Sequence, residues 1–210
     1  GFIYETMAGL PAYGAVLIPG SGKQIYDELV HFNDSVGFGA MLVDTPSEDN
    51  RVLLDDNGDT VLQYALSDAD KERFAISVAI GIRMMFLAGA KKVIIPTNEN
   101  VLDQPDFDPM VGVYLTDIRQ AETVQKNIKF VPNRTILTSA HLQATNKMGP
   151  KDKGVVSLNH RLWATNGDEV PNVYVMDSSI FPTSVGANPM QSLYTIAKIF
   201  TERMLNGHLN

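Results

Sequence analysis

The sequence contains no cysteine, and this absence excludes several kinds of site at once. Without cysteine the chain can form no disulfide, no thiolate nucleophile and no zinc–thiolate cluster. Histidine is scarce as well, with four residues among 210, and no two of them have the spacing of metal ligands. A metal site is therefore not expected. The redox compartment stays open, because a cysteine-free chain suits any compartment.

Basic residues are the minority charge, with 17 Lys and Arg against 24 Asp and Glu and a net charge of −7. The longest basic run is the pair Lys91 and Lys92. Recognition of a phosphate backbone needs clustered Lys and Arg side chains. A nucleic-acid partner is therefore not expected.

Long hydrophobic runs are also missing. The most apolar stretch covers residues 74–90 and contains Arg83, which is short for a membrane span and typical of a buried helix. Residues 1–5 show neither the basic region nor the apolar core of a secretory signal. These features leave the compartment undetermined and favour the cytoplasm.

Turn and cap signals in the chain predict helices alternating with short strands. Asn57-Gly58 tolerates positive φ and predicts a tight turn between strands at residues 51–54 and 60–66. Ser67, with Asp70 three residues later, has the pattern of a helix capping box. Apolar residues then recur at helical spacing: Phe74, Val78, Ile82 and Met85. The second half of this helix is expected to be buried on its other faces too, by Met84, Phe86 and Leu87, before Gly89 ends it.

Weaker signals predict the remaining elements. Further strands are expected at residues 38–44, 92–96, 154–157 and 173–182, and a helix at residues 115–129. With 44% hydrophobic and 20% charged residues, the composition is that of a soluble globular protein of one domain or slightly more.

Asn188-Pro189 predicts the start of a C-terminal helix, because Asn caps free N–H groups and Pro suits the first turn. An apolar stripe follows: Met190, Leu193, Ala197, Phe200 and Met204. The N-terminus of a helix carries partial positive charge and spare N–H donors. It could hold an electron-rich group such as a reduced flavin, or it could be only a well-capped helix start, and these residues alone leave both interpretations open.

Three elements in a fixed order stand out between residues 136 and 205. They read Ser139-Ala140-His141 with Thr145-x-x-Met148-Gly149, then Val175-Met176-Asp177-Ser178-Ser179-Ile180-Phe181-Pro182, then Gly186-x-Asn188-Pro189. Their order and spacing resemble the C-terminal signature of the glucose-methanol-choline (GMC) oxidoreductases. The upstream part looks most like the long-chain alcohol oxidase and cholesterol oxidase branches.

The resemblance implies an α+β fold, with a mostly antiparallel sheet and helices on one face. Residues 1–150 would form part of the substrate-binding domain, and residues 151–210 would complete an FAD-binding domain whose N-terminal half is absent. The Gly-x-Gly-x-x-Gly fingerprint of nucleotide binding is not found, because Gly20-x-Gly22 and Gly37-x-Gly39 both lack the third Gly. The chain is therefore expected to be a fragment of a longer protein, or a subunit beside a flavin-binding chain, that does not hold FAD or turn over alone.

The resemblance also implies an activity: oxidation of an alcohol CH–OH by hydride transfer to FAD. His141 matches the family's active-site histidine and would take the hydroxyl proton, a task that suits imidazole. Asn188 matches the partner position and would orient the substrate oxygen, or it would cap the helix, but hardly both at once. The residues expected to approach the flavin are Asp177, Ser178, Asn188, Pro189 and Met190.

One departure from the family pattern is Asn146-Lys147, where members often have Cys-Arg. The other histidines, His31, His160 and His208, match no active position and are expected to be structural or solvated, with His160 near a surface strand. Two rival functions stay open: a flavin-bearing lyase that uses the same histidine as a base, and a non-catalytic binding or assembly module. Self-association is also expected, through apolar surface on the C-terminal segment.

Overall fold

Helices and paired short strands make up the computed structural model, which describes residues 1–7 and 9–208. The elements in chain order are β1 (Phe2–Met7), α1 (Pro11–Leu17), α2 (Lys23–Val30), a 3-10 turn (Phe32–Asp34), β2 (Gly37–Leu42), β3 (Arg51–Leu54), β4 (Thr60–Gln63), α3 (Asp68–Leu87), β5 (Val93–Ile94), β6 (Tyr114–Leu115), α4 (Gln120–Asn127), β7 (Arg161–Trp163), β8 (Glu169–Tyr174), a second 3-10 turn (Ser178–Ile180) and α5 (Met190–Leu205). This mixture confirms the predicted α+β class.

The strands of the described residues do not form the one sheet that the sequence predicts. They form four separate antiparallel pairs: β1 with β2, β3 with β4, β5 with β6, and β7 with β8. Pro96 follows β5, and Pro171 lies within β8. Proline donates no N–H to a neighbouring strand, which limits how far these pairs can extend.

Two compact units emerge from the chain contacts. Unit 1 consists of Gly1–Leu42 and Ser67–Thr138, and unit 2 consists of Val43–Leu66 and Ser139–Asn210. The hairpin of β3 and β4 therefore belongs with the C-terminal residues. The assignment of residues 1–150 to substrate binding and of 151–210 to the flavin domain stays a prediction.

Helix α3 forms the centre of unit 1. The Ser67 hydroxyl oxygen accepts the Asp70 N–H at 3.1 Å, which confirms the predicted cap. Gly89, just after the helix, has φ +99, a conformation that glycine adopts without steric cost. The prediction of a fully buried second half is wrong, because Met84 and Leu87 are exposed on one side of the helix.

The hydrophobic core of unit 1 is built around one face of α3. Its buried members are Ala75, Ala79, Ile82, Val93, Ile95, Val101, Val113, Leu115, Ala121, Val124, Ile128 and Phe130. The Glu99 carboxylate is buried beside it and accepts the Lys129 and Val131 N–H groups at 2.8 and 3.0 Å. Charge-assisted hydrogen bonds of this kind hold the chain around the core.

Unit 2 is built from two hairpins and α5. The first hairpin pairs Val52 with Leu62 and turns at Asn57-Gly58, as predicted. The strand predicted at residues 154–157 is reduced to a single bridging residue, Val156. The strand predicted at 173–182 begins earlier and ends at Tyr174.

Few apolar side chains are buried in the described part of unit 2: Val156, Ile180, Phe181 and Pro189. Unit 2 therefore buries little apolar surface of its own.

In the described part of the chain, no helix combines the length and hydropathy needed to cross a membrane.

Candidate functional site

The segment that carries His141 lies against the 3-10 turn Ser178–Ile180 within unit 2. Three backbone N–H groups, of Ala144, Asn146 and Met148, donate to the carbonyl oxygens of consecutive residues of that turn at 3.4, 3.0 and 2.8 Å. The Ser178 hydroxyl donates to the Leu142 carbonyl oxygen at 2.6 Å. Two of the three sequence elements are thus joined through residues 142–148 and 178–180, although 30 residues or more separate them in the chain.

Asp177 begins the 3-10 turn, since its carboxylate accepts the Ser179 N–H at 2.7 Å. Its side chain is exposed, whereas Ser178 is partly buried. This hydrogen bond fixes the direction in which the chain leaves β8. The expected approach of Asp177 and Ser178 to a flavin stays a prediction.

Gln143 connects the His141 segment to Val185, the residue just before the third element. Its side-chain oxygen accepts the Val185 N–H at 3.1 Å, and its amide nitrogen donates to the His141 carbonyl oxygen at 3.2 Å. Gln143 was not among the residues predicted from the sequence. Its position between His141 and the Thr-x-x-Met-Gly element was the only signal that could have singled it out.

Asn146, which belongs to the expected departure Asn146-Lys147, connects the first element to the 3-10 turn. Its amide donates to the Ser179 hydroxyl oxygen at 3.1 Å, beside the backbone bond between the same two residues. Asn146 therefore makes a polar contact between the first two elements.

Helix α5 starts where the sequence predicts, but its cap differs. Pro189 occupies the N-cap position, and the first helical hydrogen bond runs from the Leu193 N–H to the Pro189 carbonyl at 2.9 Å. Pro189 is buried, whereas Asn188 is exposed and lies outside the helix. The prediction that Asn188 caps this helix is wrong, and its amide is left available for another partner.

The first turn of α5 has the free N–H donors and partial positive charge expected of a helix start. The N–H groups at the start of a helix have no partner within the helix and carry partial positive charge. No acidic side chain stands in this first turn to neutralise that charge. Met190, the first helical residue, is 58% exposed. An electron-rich group would find unneutralised donors at this helix end.

The apolar stripe predicted along α5 divides into two parts. Leu193, Ala197 and Phe200 are partly buried, and the Phe200 ring lies 5.5 Å from the Tyr174 ring. Met190 and Met204, at the two ends of the stripe, are exposed.

His160 is buried, and the prediction that it lies at a surface strand is wrong. Its residue is 6% exposed, its backbone has φ +64, and its ring lies 4.9 Å from the Phe200 ring. Burial lowers the pKa of His160 from its ordinary value of 6.5, the hydrogen bond with Val175 opposes this, and the positive charge of Arg203 lowers the pKa further. The neutral ring is therefore the form that the fold favours.

Acidification is expected to destabilise the packing of α5 through His160. A group whose pKa is lower in the folded state binds more protons when unfolded, so stability is full above the unfolded pKa near 6.5 and falls as the pH decreases towards the folded value. Hydrogen exchange of the α5 amides at about pH 8 and about pH 5 would measure this loss. His160→Asn should reduce the pH dependence, and His31→Ala should leave it unchanged.

Gly154 approaches the backbone of Gly149, at the end of the first sequence element. A β-carbon at Gly154 would meet the Gly149 nitrogen at 2.5 Å, whereas one at Gly149 would meet Gly154 at an ordinary 3.5 Å. Gly154→Ala is therefore expected to lower the free energy of unfolding by about 1–3 kcal/mol. Urea unfolding would show this, with Gly149→Ala as the matched control, and equal stability of the two variants would contradict the predicted clash.

Comparison with known proteins supports a common origin for this arrangement. A family model described as GMC oxidoreductase matches residues 46–197, which is more than two thirds of the chain. The matched region includes His141, Asp177, Ser178 and Asn188.

Three curated relatives align over nearly the whole chain. An uncharacterized GMC-type oxidoreductase of Mycobacterium tuberculosis is 26% identical over 94% of this chain and 28% of its own length. Two long-chain-alcohol oxidases of Arabidopsis thaliana are 25% and 23% identical over 95% and 93% of this chain, in each case 25% of their own length. The chain thus spans about a quarter of the length of these relatives.

Proposed function

The chain belongs to the GMC oxidoreductase family, and on that premise we propose that it is the C-terminal part of an FAD-dependent enzyme that oxidises the CH–OH group of an alcohol. The observation that supports this proposal most is the hydrogen-bonded contact between the His141 segment and the Ser178–Ile180 turn. The sequence elements of an oxidoreductase site meet in one unit, with Gln143 extending the contact to the loop before Asn188.

His141 is the proposed base. Its segment has no regular secondary structure, and its position is set by the neighbouring contacts of Leu142 and Gln143. An imidazole held in this way accepts the hydroxyl proton of the alcohol as the C–H bond breaks. Asn188, exposed and outside the helix, donates its amide N–H to the alcohol oxygen and orients the substrate.

The residues present fit FAD, which when bound supplies the acceptor for the hydride of the alcohol. The free N–H groups of the first turn of α5, from Met190 onwards, suit the electron-rich pyrimidine edge of a flavin, and no carboxylate competes there. Asp177, Ser178, Asn188 and Pro189 complete the proposed set of flavin contacts. The nucleotide end of the cofactor would be held by a part of the protein outside this chain.

The exposed apolar side chains of unit 2 support a second proposal, that another part of the longer protein packs against this unit. Many of its large apolar side chains are exposed: Val52, Leu54, Leu62, Tyr64, Met190, Tyr194 and Leu205. Large apolar side chains exposed in such number often mark an interface. We infer that the flavin-binding half of the longer protein packs here, and that the isolated chain self-associates.

The names of the relatives support a substrate class for the proposed activity. Two of them are named long-chain-alcohol oxidases, which favours an alcohol with a long apolar chain as the substrate of this protein also.

A native protein purified from its source tests the proposal. We expect an intact mass well above 23.0 kDa and the visible absorption spectrum of a flavin, which bleaches when 1-dodecanol is added without oxygen. A flavin-free protein, or a flavin that no alcohol bleaches, would overturn the proposed function.

A further inference from the structure

His160 occupies a backbone position that disfavours most side chains. It ends the turn after Ser157, where the His160 N–H donates to the Ser157 carbonyl at 2.9 Å and the Ser157 N–H donates to the Arg161 carbonyl at 2.7 Å. With φ +64, this is the left-handed position that closes a short hairpin loop and that glycine usually fills. A buried ring at such a position needs a reason beyond the turn itself.

The first contact of His160 holds the end of β8. The Val175 N–H donates to the His160 carbonyl at 2.9 Å, and the His160 Nδ1 atom lies 3.3 Å from the Val175 carbonyl oxygen. Val175 stands two residues before Asp177, which starts the 3-10 turn. His160 therefore fixes the backbone from which the second sequence element leaves the strand.

The second contact of His160 holds α5. Its ring lies edge-on to Phe200 with centroids 4.9 Å apart. One turn later, Arg203 donates to the Leu158 carbonyl at 3.2 Å and to the Asn159 side-chain oxygen at 3.1 Å. The second half of α5 thus packs against the turn that carries His160.

A helix transmits such a contact along its axis. Phe200 lies ten residues after Met190, which is about 15 Å along a helix that rises about 1.5 Å per residue. A shift of the Phe200 ring would therefore move the start of α5. One side chain contacts both elements that are proposed to meet the flavin.

We propose that His160 is a positioning residue, which sets the start of α5 and the Asp177–Ser178 element relative to each other and so aligns the alcohol-oxidising site. This inference rests on the proposed function. It assigns His160 no contact with substrate or flavin, and its effect is transmitted through Phe200 and Val175.

The test uses His160→Gly and Phe200→Leu, singly and together, in the full-length flavoprotein. Glycine keeps the backbone conformation of His160 and removes both of its side-chain contacts. We expect kcat for 1-dodecanol to fall by about tenfold or more, with KM changed less, the flavin retained and its absorption band shifted. His160→Asn, which tolerates positive φ and can donate to Val175, should recover part of kcat. The double variant should lose no more than the larger single loss, as expected for one shared contact.

Asn172→Gly is the matched control, because Asn172 is exposed and has φ +61 in β8, the strand that pairs with β7. Hydrogen exchange of the first α5 amides gives a readout that needs no activity, and it should quicken in His160→Gly and not in Asn172→Gly. Faster α5 exchange with an unchanged kcat and flavin band would overturn the positioning role while leaving the proposed function intact. If His160→Gly fails to fold, an unaltered kcat and flavin band in Phe200→Leu would overturn the proposal as well. A wild-type flavin that no alcohol reduces would overturn the proposed function, and the positioning role with it.

Discussion

Replacing His141 with alanine in the full-length protein is expected to lower kcat for alcohol oxidation several hundredfold, about the contribution of a positioned general base. The expected fall in kcat has one cause: alanine has no group that could accept the proton of the alcohol hydroxyl. Flavin content should stay at the wild-type level, because the proposed flavin contacts lie elsewhere, at residues 177–178 and at the start of α5. Steady-state oxidation of 1-dodecanol, together with the flavin absorbance of each preparation, would measure both quantities.

His31→Ala is the matched control for this experiment. His31 is exposed in unit 1, 3.9 Å from the Asp34 carboxylate, and its removal should leave kcat unchanged. A His141→Ala protein that keeps its flavin and its full activity would show that the base is another group, or that this part of the protein is a binding or assembly module.

Local signals predicted the best-defined elements. The Ser67 cap and the apolar spacing of α3 act within a few residues, so the helix could be placed from sequence to within a residue at its start. The Asn57-Gly58 turn likewise fixes the register of β3 against β4. Such signals lie within a few residues of each other, so they can be recognised without knowledge of distant contacts.

Elements that depend on distant partners were predicted less well. The helix expected at residues 115–129 forms only from Gln120, because Leu115 pairs with Val93 in a strand. His160 was expected near the surface. The residues around it in the sequence give no sign that its ring packs against Phe200, 40 residues later. Pairing between strands and burial against a distant helix are properties of the whole fold, which periodicity cannot show.

The sequence predicted the residues of the candidate site, but it did not predict the hydrogen bonds that join the three elements. His141, Asp177 and Asn188 stood out because they belong to recognisable elements. The contacts that hold these elements, from Ser178 to Leu142 and from Gln143 to Val185, join residues more than 30 positions apart. A single sequence carries no signal for such pairs, so only the structure could supply them.

Replacing Asn188 with alanine is expected to lower kcat/KM for the alcohol by about 10²-fold, the usual cost of one hydrogen-bond donor to a reacting oxygen. The stability of the protein should change little. Removing an N-cap asparagine costs about 1 kcal/mol, but Pro189 fills the N-cap position here and Asn188 stands outside the helix. Activity and the urea unfolding midpoint, measured on the same preparation, would separate the two roles that the sequence left open.

Asn206→Ala is the matched control, since Asn206 is exposed at the opposite end of α5 and takes no part in the proposed site. It should leave kcat/KM at the wild-type value. If Asn188→Ala keeps its activity but unfolds at a lower urea concentration, the residue is a cap after all, and the substrate oxygen must be oriented by another donor. The N–H groups of the first turn of α5 would then be the nearest candidates, because a helix N-terminus stabilises negative charge that develops on an oxygen as its proton leaves.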